Sequence, residues 1–264
     1  MTWQSLGFGI AATAAFALAA GCDRTEPIGP MVDAADLIAK EGTSVKKLSI
    51  ARCAPGQGGF TIASTNPYYP LGPVGRQWIL TGAEDGEAII LQVTVLDQTR
   101  VIEGVTTRVI EERETIDGEL FEVTWNYFVQ AADGTICYYG EDVDIFEEGG
   151  ISHEGAWCAG GGNLPGIFMP ADPHPGMTFQ IEVAPDVAED EGKIVGIGPI
   201  EVPFGQFIET IRIREFNPLD GAKDYKIHAA GTGIIVDGPL TLDELNQTSG
   251  VPEQPIPTDQ ACGV

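Results

Sequence analysis

The sequence predicts an all-β fold: an antiparallel β-sandwich or curled half-barrel meander with one short N-terminal helix. Three observations carry this. In residues 119–130, Phe121, Val123, Trp125, Tyr127 and Val129 alternate with Glu122, Thr124, Asn126 and Gln130, the period of a strand with one buried face. The turn dipeptides Asp117-Gly118, Asp133-Gly134 and Gly149-Gly150 recur at intervals of about a dozen residues, the spacing of consecutive hairpins. No helical pattern lies between the strand-like runs, so the crossovers that parallel strands require are missing.

Taken in order, residues 1–21 carry no charged side chain and form an apolar stretch ending in Leu18-Ala19-Ala20-Gly21-Cys22. This reads as a signal peptide or anchor, with Cys22 as a lipidation site like that of a bacterial lipobox. Two features depart from that motif: the bulky Leu18 stands one place early, and no Lys or Arg follows Met1. An uncleaved anchor helix and free secretion are therefore also open, and all three place the folded part outside the cytoplasm. Residues 22–44 are a tether and short helix, the helix at 31–41 with Met31, Ala35, Leu37 and Ile38 near one face and Gly42 as its stop. Residues 45–247 form the β domain. Strands are expected at 77–81, 87–96, 105–115, 119–131, 178–183, 193–202, 207–216, 224–229 and 233–236, roughly nine to eleven in all once the hairpin around Cys137 and Cys158 is included. The Gly- and Pro-rich run 159–176 reads as a long loop without strand or helix. Residues 248–264 are a Pro-rich C-terminal tail.

The chain has 264 residues, 39 acidic against 14 basic, and a formal net charge of −25. With 43% hydrophobic residues it can bury a core, which excludes a wholly disordered acidic tail. Such a charge repels phosphate backbones and excludes unassisted nucleic-acid binding, leaving cations, basic proteins or neutral ligands as partners. Setting Cys22 aside leaves Cys53, Cys137, Cys158 and Cys262, an even number that suits two disulfides in an oxidising compartment. Three connectivities are open. The placement of Cys137 and Cys158 on either side of the turn at 147–150 favours pairing these two across a hairpin, with Cys53 joined to Cys262.

The densest polar cluster also surrounds that turn. If Cys137 faces Cys158, Asp142 lies opposite His153 and Glu141 opposite Glu154, a candidate set for a divalent metal such as calcium. Alternation counts against it, since adjacent Glu141 and Asp142 point to opposite faces, and no D-x-D-x-D-G loop is present. Trp157 and Tyr139 are candidate ligand-binding aromatics, able to stack on a sugar or apolar ligand. Neither H-E-x-x-H, G-x-S-x-G nor a phosphate loop occurs, so no catalytic residue is assigned and no cofactor beyond calcium is expected.

Several strings resemble a group of uncharacterised secreted bacterial β-rich lipoproteins. They are Asn66-Pro67-Tyr68-Tyr69-Pro70-Leu71 followed by Gly75 and Trp78, then Met169-Pro170-Ala171-Asp172-Pro173, Val202-Pro203-Phe204-Gly205-Gln206-Phe207 and Gly231-Thr232-Gly233-Ile234-Ile235-Val236. The resemblance implies an extracytoplasmic β fold and carries over no catalytic residue. Its aromatics are expected to cap one end of the fold, with Trp78 opening the first long strand and Gly231 and Gly233 allowing a bulge or a close approach. The expected function is a membrane-tethered, non-enzymatic accessory subunit in the bacterial cell envelope, on the periplasmic side. It is held to the membrane by its N-terminal lipid or anchor and docks on an envelope membrane-protein complex with a basic face. The alternative is a lipid or glycan carrier or sensor.

Overall fold

A computed structural model describes residues 47–262. The expected leader, Cys22 and the helix at 31–41 lie outside the described residues. The chain opens with two short 3-10 turns, Ile50–Cys53 and Pro55–Gln57, and then runs through sixteen strands among the described residues. These are β1 Arg76–Glu84, β2 Glu87–Ile102, β3 Val105–Ile116, β4 Glu119–Gln130, β5 Ile136–Glu147, β6 Gly150–Ser152, β7 Trp157–Cys158 and β8 Gly166–Met169. They continue with β9 Thr178–Gln180, β10 Glu191–Ile197, β11 Ile200–Val202, β12 Gly205–Phe207, β13 Thr210–Phe216, β14 Lys223–Ala229, β15 Gly233–Asp237 and β16 Leu240–Gln247.

Fourteen strands form one antiparallel sheet in the order β6-β5-β4-β3-β2-β1-β16-β15-β14-β13-β10-β9, with β7 and β8 also pairing on the free edge of β5. Of the two architectures expected, the curled meander is the one observed. The sheet curls without closing into a barrel, and its two ends approach each other beside an isolated bridge in which Leu164 N donates to Val183 O at 3.0 Å. Local sequence explains the meander. The first three hairpins turn on Asp85-Gly86, Glu103-Gly104 and Asp117-Gly118, each with positive φ at both residues, as two-residue turns matched to the strand twist require.

Four expectations need correction. The loop at 159–176 contains β8, because Ile167, Phe168 and Met169 are apolar and fully or nearly buried along β5. The strands expected at 193–202 and 207–216 each divide, since the chain leaves the sheet at Gly198-Pro199 to form the separate β11–β12 hairpin before returning as β13. The disulfides are exchanged: Cys53 bonds Cys137 and Cys158 bonds Cys262. Cys158 pairs opposite Gly140, three residues from Cys137, because the residues between Ser152 and Trp157 lie outside the ladder and shift the register of the returning chain. Gly140 suits this approach, since a Cβ there would stand 2.4 Å from Trp157 O. Finally, β4 is buried on both faces rather than one.

That double burial comes from the tail. Residues 248–262 cross the outer, convex face of β2–β5 as an extended strap. Arg100 donates to Pro257 O at 2.6 Å, Gln260 bonds both Val143 N and Asp144, and Cys262 N donates to Asp142 Oδ1 at 2.9 Å. Beneath it lie Trp125 and Tyr127, both fully buried. On the inner, concave side, the Asn66–Leu71 segment fills one end, as expected of a cap. Tyr69 packs on Phe168 and Phe128 at 4.5 and 5.1 Å between ring centroids, and Asn66 anchors it by donating to Gly134 O and Pro170 O. The close approach expected at Gly233 is also present, where a Cβ would stand 2.9 Å from the Trp78 ring.

Candidate functional site

Beyond the aromatic cap, the concave interior is lined by ionisable side chains brought together from six strands and the segment joining β9 to β10. Alternation directs them inward. In β13 Ile211, Ile213 and Glu215 share a face, and opposite them in register stand His228, Lys226 and Asp224 of β14. Asn126 of β4 faces Glu141 of β5, Glu114 of β3 faces Glu122 of β4, and Lys226 faces Asp237 of β15. Glu182 and Asp190, on the β9–β10 connection, complete the group, and both are buried. Like charges opposed across strands are destabilising, so an interior with this many carboxyl groups must retain protons.

Glu141 and Glu182 are both buried in this interior, and each raises the cost of ionising its neighbours. Trp157 Nε1 donates to Glu182 Oε1 at 3.2 Å. Tyr138 OH lies 2.8 Å from Glu141 Oε2 and also within hydrogen-bond reach of Asn126 Oδ1.

The electrostatics agree. Burial pushes Glu141 up to about 8, with Glu122, Glu112 and Asp190 adding to the shift and the Tyr138 hydrogen bond opposing it. Glu182 is likewise raised, by burial and by Glu141. Burial also raises Asp190 to about 8, reinforced by Glu182, and Glu215 to about 8 against the opposing pull of Lys226. Burial by itself lowers an ammonium pKa, but Asp237, Glu215, Asp224 and Glu112 outweigh it and hold Lys226 charged. Its Nζ lies 2.6 Å from Asp237 Oδ1. Burial and nearby Lys226 push His228 down to about 3, so it is neutral. The interior is thus a set of coupled carboxyl groups around one lysine, chemically suited to holding protons.

The residues expected from sequence as a metal set are not brought together. Glu141 lies inside, whereas Asp142 lies on the outer face beneath the strap, where it accepts from Tyr127 OH at 2.6 Å and sits 3.7 Å from Arg100. His153 turns its Nδ1 to Val143 O and Asp144 Oδ1 at 2.8 and 3.1 Å, and Glu154 is exposed. Alternation along β5 separates Glu141 from Asp142, and the register shift that also exchanged the disulfides moves His153 and Glu154 away from both. Among the described residues no group of three or more His, Cys, Asp or Glu is placed to hold a metal ion. The two aromatics expected to meet a ligand are instead core residues. Tyr139 donates its hydroxyl to Cys53 O at 2.7 Å, and Trp157 is held by Glu182.

Sequence reasoning missed Glu182, Glu215 and Lys226, and it reads Asp190 as part of a charged hairpin tip at 189–192 and His228 as one of three scattered histidines, whereas both are buried. A signal existed for Glu215, which continues the inward alternation of Ile211 and Ile213. None existed for Glu182 and Asp190, whose burial depends on where a connection crosses the curl. Among the described residues no helix is long and apolar enough to cross a membrane. Comparison with family models, with curated proteins and with solved structures finds no match to this chain.

Proposed function

We propose that the protein is a membrane-tethered, extracytoplasmic, non-enzymatic β domain that serves as an accessory subunit docked on an envelope membrane-protein complex. The observation that carries this reading is the construction of a rigid, covalently pinned body. Two disulfides closing loops of 84 and 104 residues suit an oxidising compartment, and one of them fastens the C-terminal strap across the sheet. The interior is filled by the protein's own aromatic and ionisable side chains, which supports docking over lipid or glycan carriage. An N-terminal tether, lipid or anchor, would remove much of the translational cost of association. The acidic surface elsewhere would speed encounter with a basic face.

Affinity purification of the full chain from detergent-solubilised membranes of its host is expected to recover a membrane-protein complex in stoichiometric amount. A clean monomer overturns the docking reading. A Cys22→Ala variant separates tethering from docking: it is expected to leave the membrane fraction while still binding the purified complex.

A further inference from the structure

Four of the chain's fourteen lysines and arginines share the outer face of β10, β13 and β14. Directly opposed residues of an antiparallel pair lie on one face, and the register opposes Lys193 to Arg214, Arg214 to Tyr225, Arg212 to Ile227 and Phe216 to Lys223. Since Ile211, Ile213 and Glu215 point inward, this set points out. Glu191 is the one carboxylate at an outward position of these three strands. In a chain with 39 acidic residues, none of these four cations forms an ion pair among the described residues. Arg212 is instead held over the Tyr225 ring at 4.3 Å, and the Nε atoms of Arg212 and Arg214 have no hydrogen-bond partner. Ile227 and Ala229, further along the same face of β14, are buried, so the open part of this face is the one around Lys193, Arg212, Arg214, Lys223 and Tyr225.

From this charge complementarity we propose that the outer face of β10, β13 and β14 is a docking surface for an extended acidic polypeptide segment of a partner protein. It goes beyond the accessory-subunit reading, because it assigns a contact of opposite sign to the domain's acidic bulk. Arg212 and Arg214 are successive outward residues of one strand, so their spacing is about 6.6 Å, which matches alternate side chains of an extended segment. Lys193 and Lys223 flank them on the neighbouring strands. Guanidinium groups bind carboxylates through paired donors, and the exposed Tyr225 offers apolar contact between the charges. A flat bilayer fits a convex face poorly.

The test uses the full-length protein in detergent and a fluorescein-labelled peptide of about twelve residues alternating Glu and Ser, read by fluorescence anisotropy at low salt. Saturable binding that weakens with added salt is expected, together with at least a tenfold loss in Arg212→Gln/Arg214→Gln. The double Lys variant, which keeps charge but not the planar fork, should fall between. Removing the same charge elsewhere, in Lys47→Gln/Arg52→Gln, should change affinity less than threefold. Equal loss in the two Gln pairs overturns the proposal, because binding then follows net charge rather than this face. Binding to phosphatidylglycerol vesicles with the same arginine dependence, without peptide binding, overturns it in favour of a lipid surface. Matching melting temperatures for all variants show that any loss reflects the face and not unfolding.

Discussion

The two halves of the sheet share one plan on the inside and differ on the outside. In β3–β5 the outward positions include Val109, Val123, Trp125 and Tyr127, all fully buried under the C-terminal strap. In β10, β13 and β14 the corresponding positions include Lys193, Arg212, Arg214 and Tyr225, which remain at least partly exposed. An antiparallel sheet needs only one covered face, so covering the second is a separate event with its own sequence signature. The first half carries apolar residues and buried polar groups bonded to the strap; the second carries unpaired cations around an aromatic ring. Apolar outward residues identify the surface the chain covers itself, and cationic ones a surface it leaves for something else.

If that contrast is right, equivalent truncations should differ in cost. Trp125→Ala removes a fully buried indole that donates to Glu111 at 3.1 Å. It should cost about 3–5 kcal/mol, whereas Tyr225→Ala on the uncovered half should stay within about 0.5 kcal/mol. Denaturant titration measures both, and similar costs would mean that the strap buries nothing of consequence.

The next effect concerns the fastening itself. Removing the Cys158–Cys262 bond by Cys158→Ser/Cys262→Ser opens a loop of 104 residues and should cost about 2–5 kcal/mol. The tryptophan emission of the folded double variant should shift to the red as Trp125, which lies beneath the strap, meets water. A stability loss without that shift would mean that the strap stays seated through its hydrogen bonds to Asp142, Val143 and Asp144 alone.

A smaller effect separates the interior, common to both halves, from either outer face. Glu141, Asp190 and Glu215 are raised to about 8, so the folded state keeps protons that the unfolded chain has already released. Their stabilisation is complete below the unfolded carboxyl range and is lost as pH rises towards 8. His228, lowered to about 3, acts in the opposite sense, but its contribution is complete above its ordinary value near 6.5 and is lost only as pH falls below that. Between pH 6.5 and 8 the carboxyl groups alone set the slope, and the melting temperature should fall. Glu141→Gln mimics the protonated carboxyl and removes its titration. It should flatten the profile by up to about 1.4 kcal/mol per pH unit and leave the variant the more stable at pH 8.5. Parallel profiles for wild type and variant would show that this carboxyl pair holds no proton.

Much of this architecture was legible because it is written locally. The alternation at 119–130 and the Asp-Gly turns name strands and hairpins whose period and backbone angles do not depend on the rest of the chain. The Asn66–Leu71 cap was legible for a similar reason, since prolines stiffen the segment and its aromatics have few stable places but the end of a core. The site was much less legible. Glu141 was singled out, but its partner Glu182 lies 41 positions along the chain by sequence number, and only the curl of the sheet brings them together. The metal set and the first disulfide pairing failed together, because both rested on a symmetric hairpin that the residues between Ser152 and Trp157 break.

By itself, then, the sequence determined an antiparallel meander, its hairpins, its capped end and a predominantly acidic surface, all set by nearest-neighbour geometry and composition. Tertiary structure decided which cysteines meet, which face of β4 the tail covers, which carboxyl groups gather in the interior and which cations stand uncovered. Those outcomes depend on register and curvature summed over many strands, and a shift of one or two residues in a single connection moves every contact beyond it.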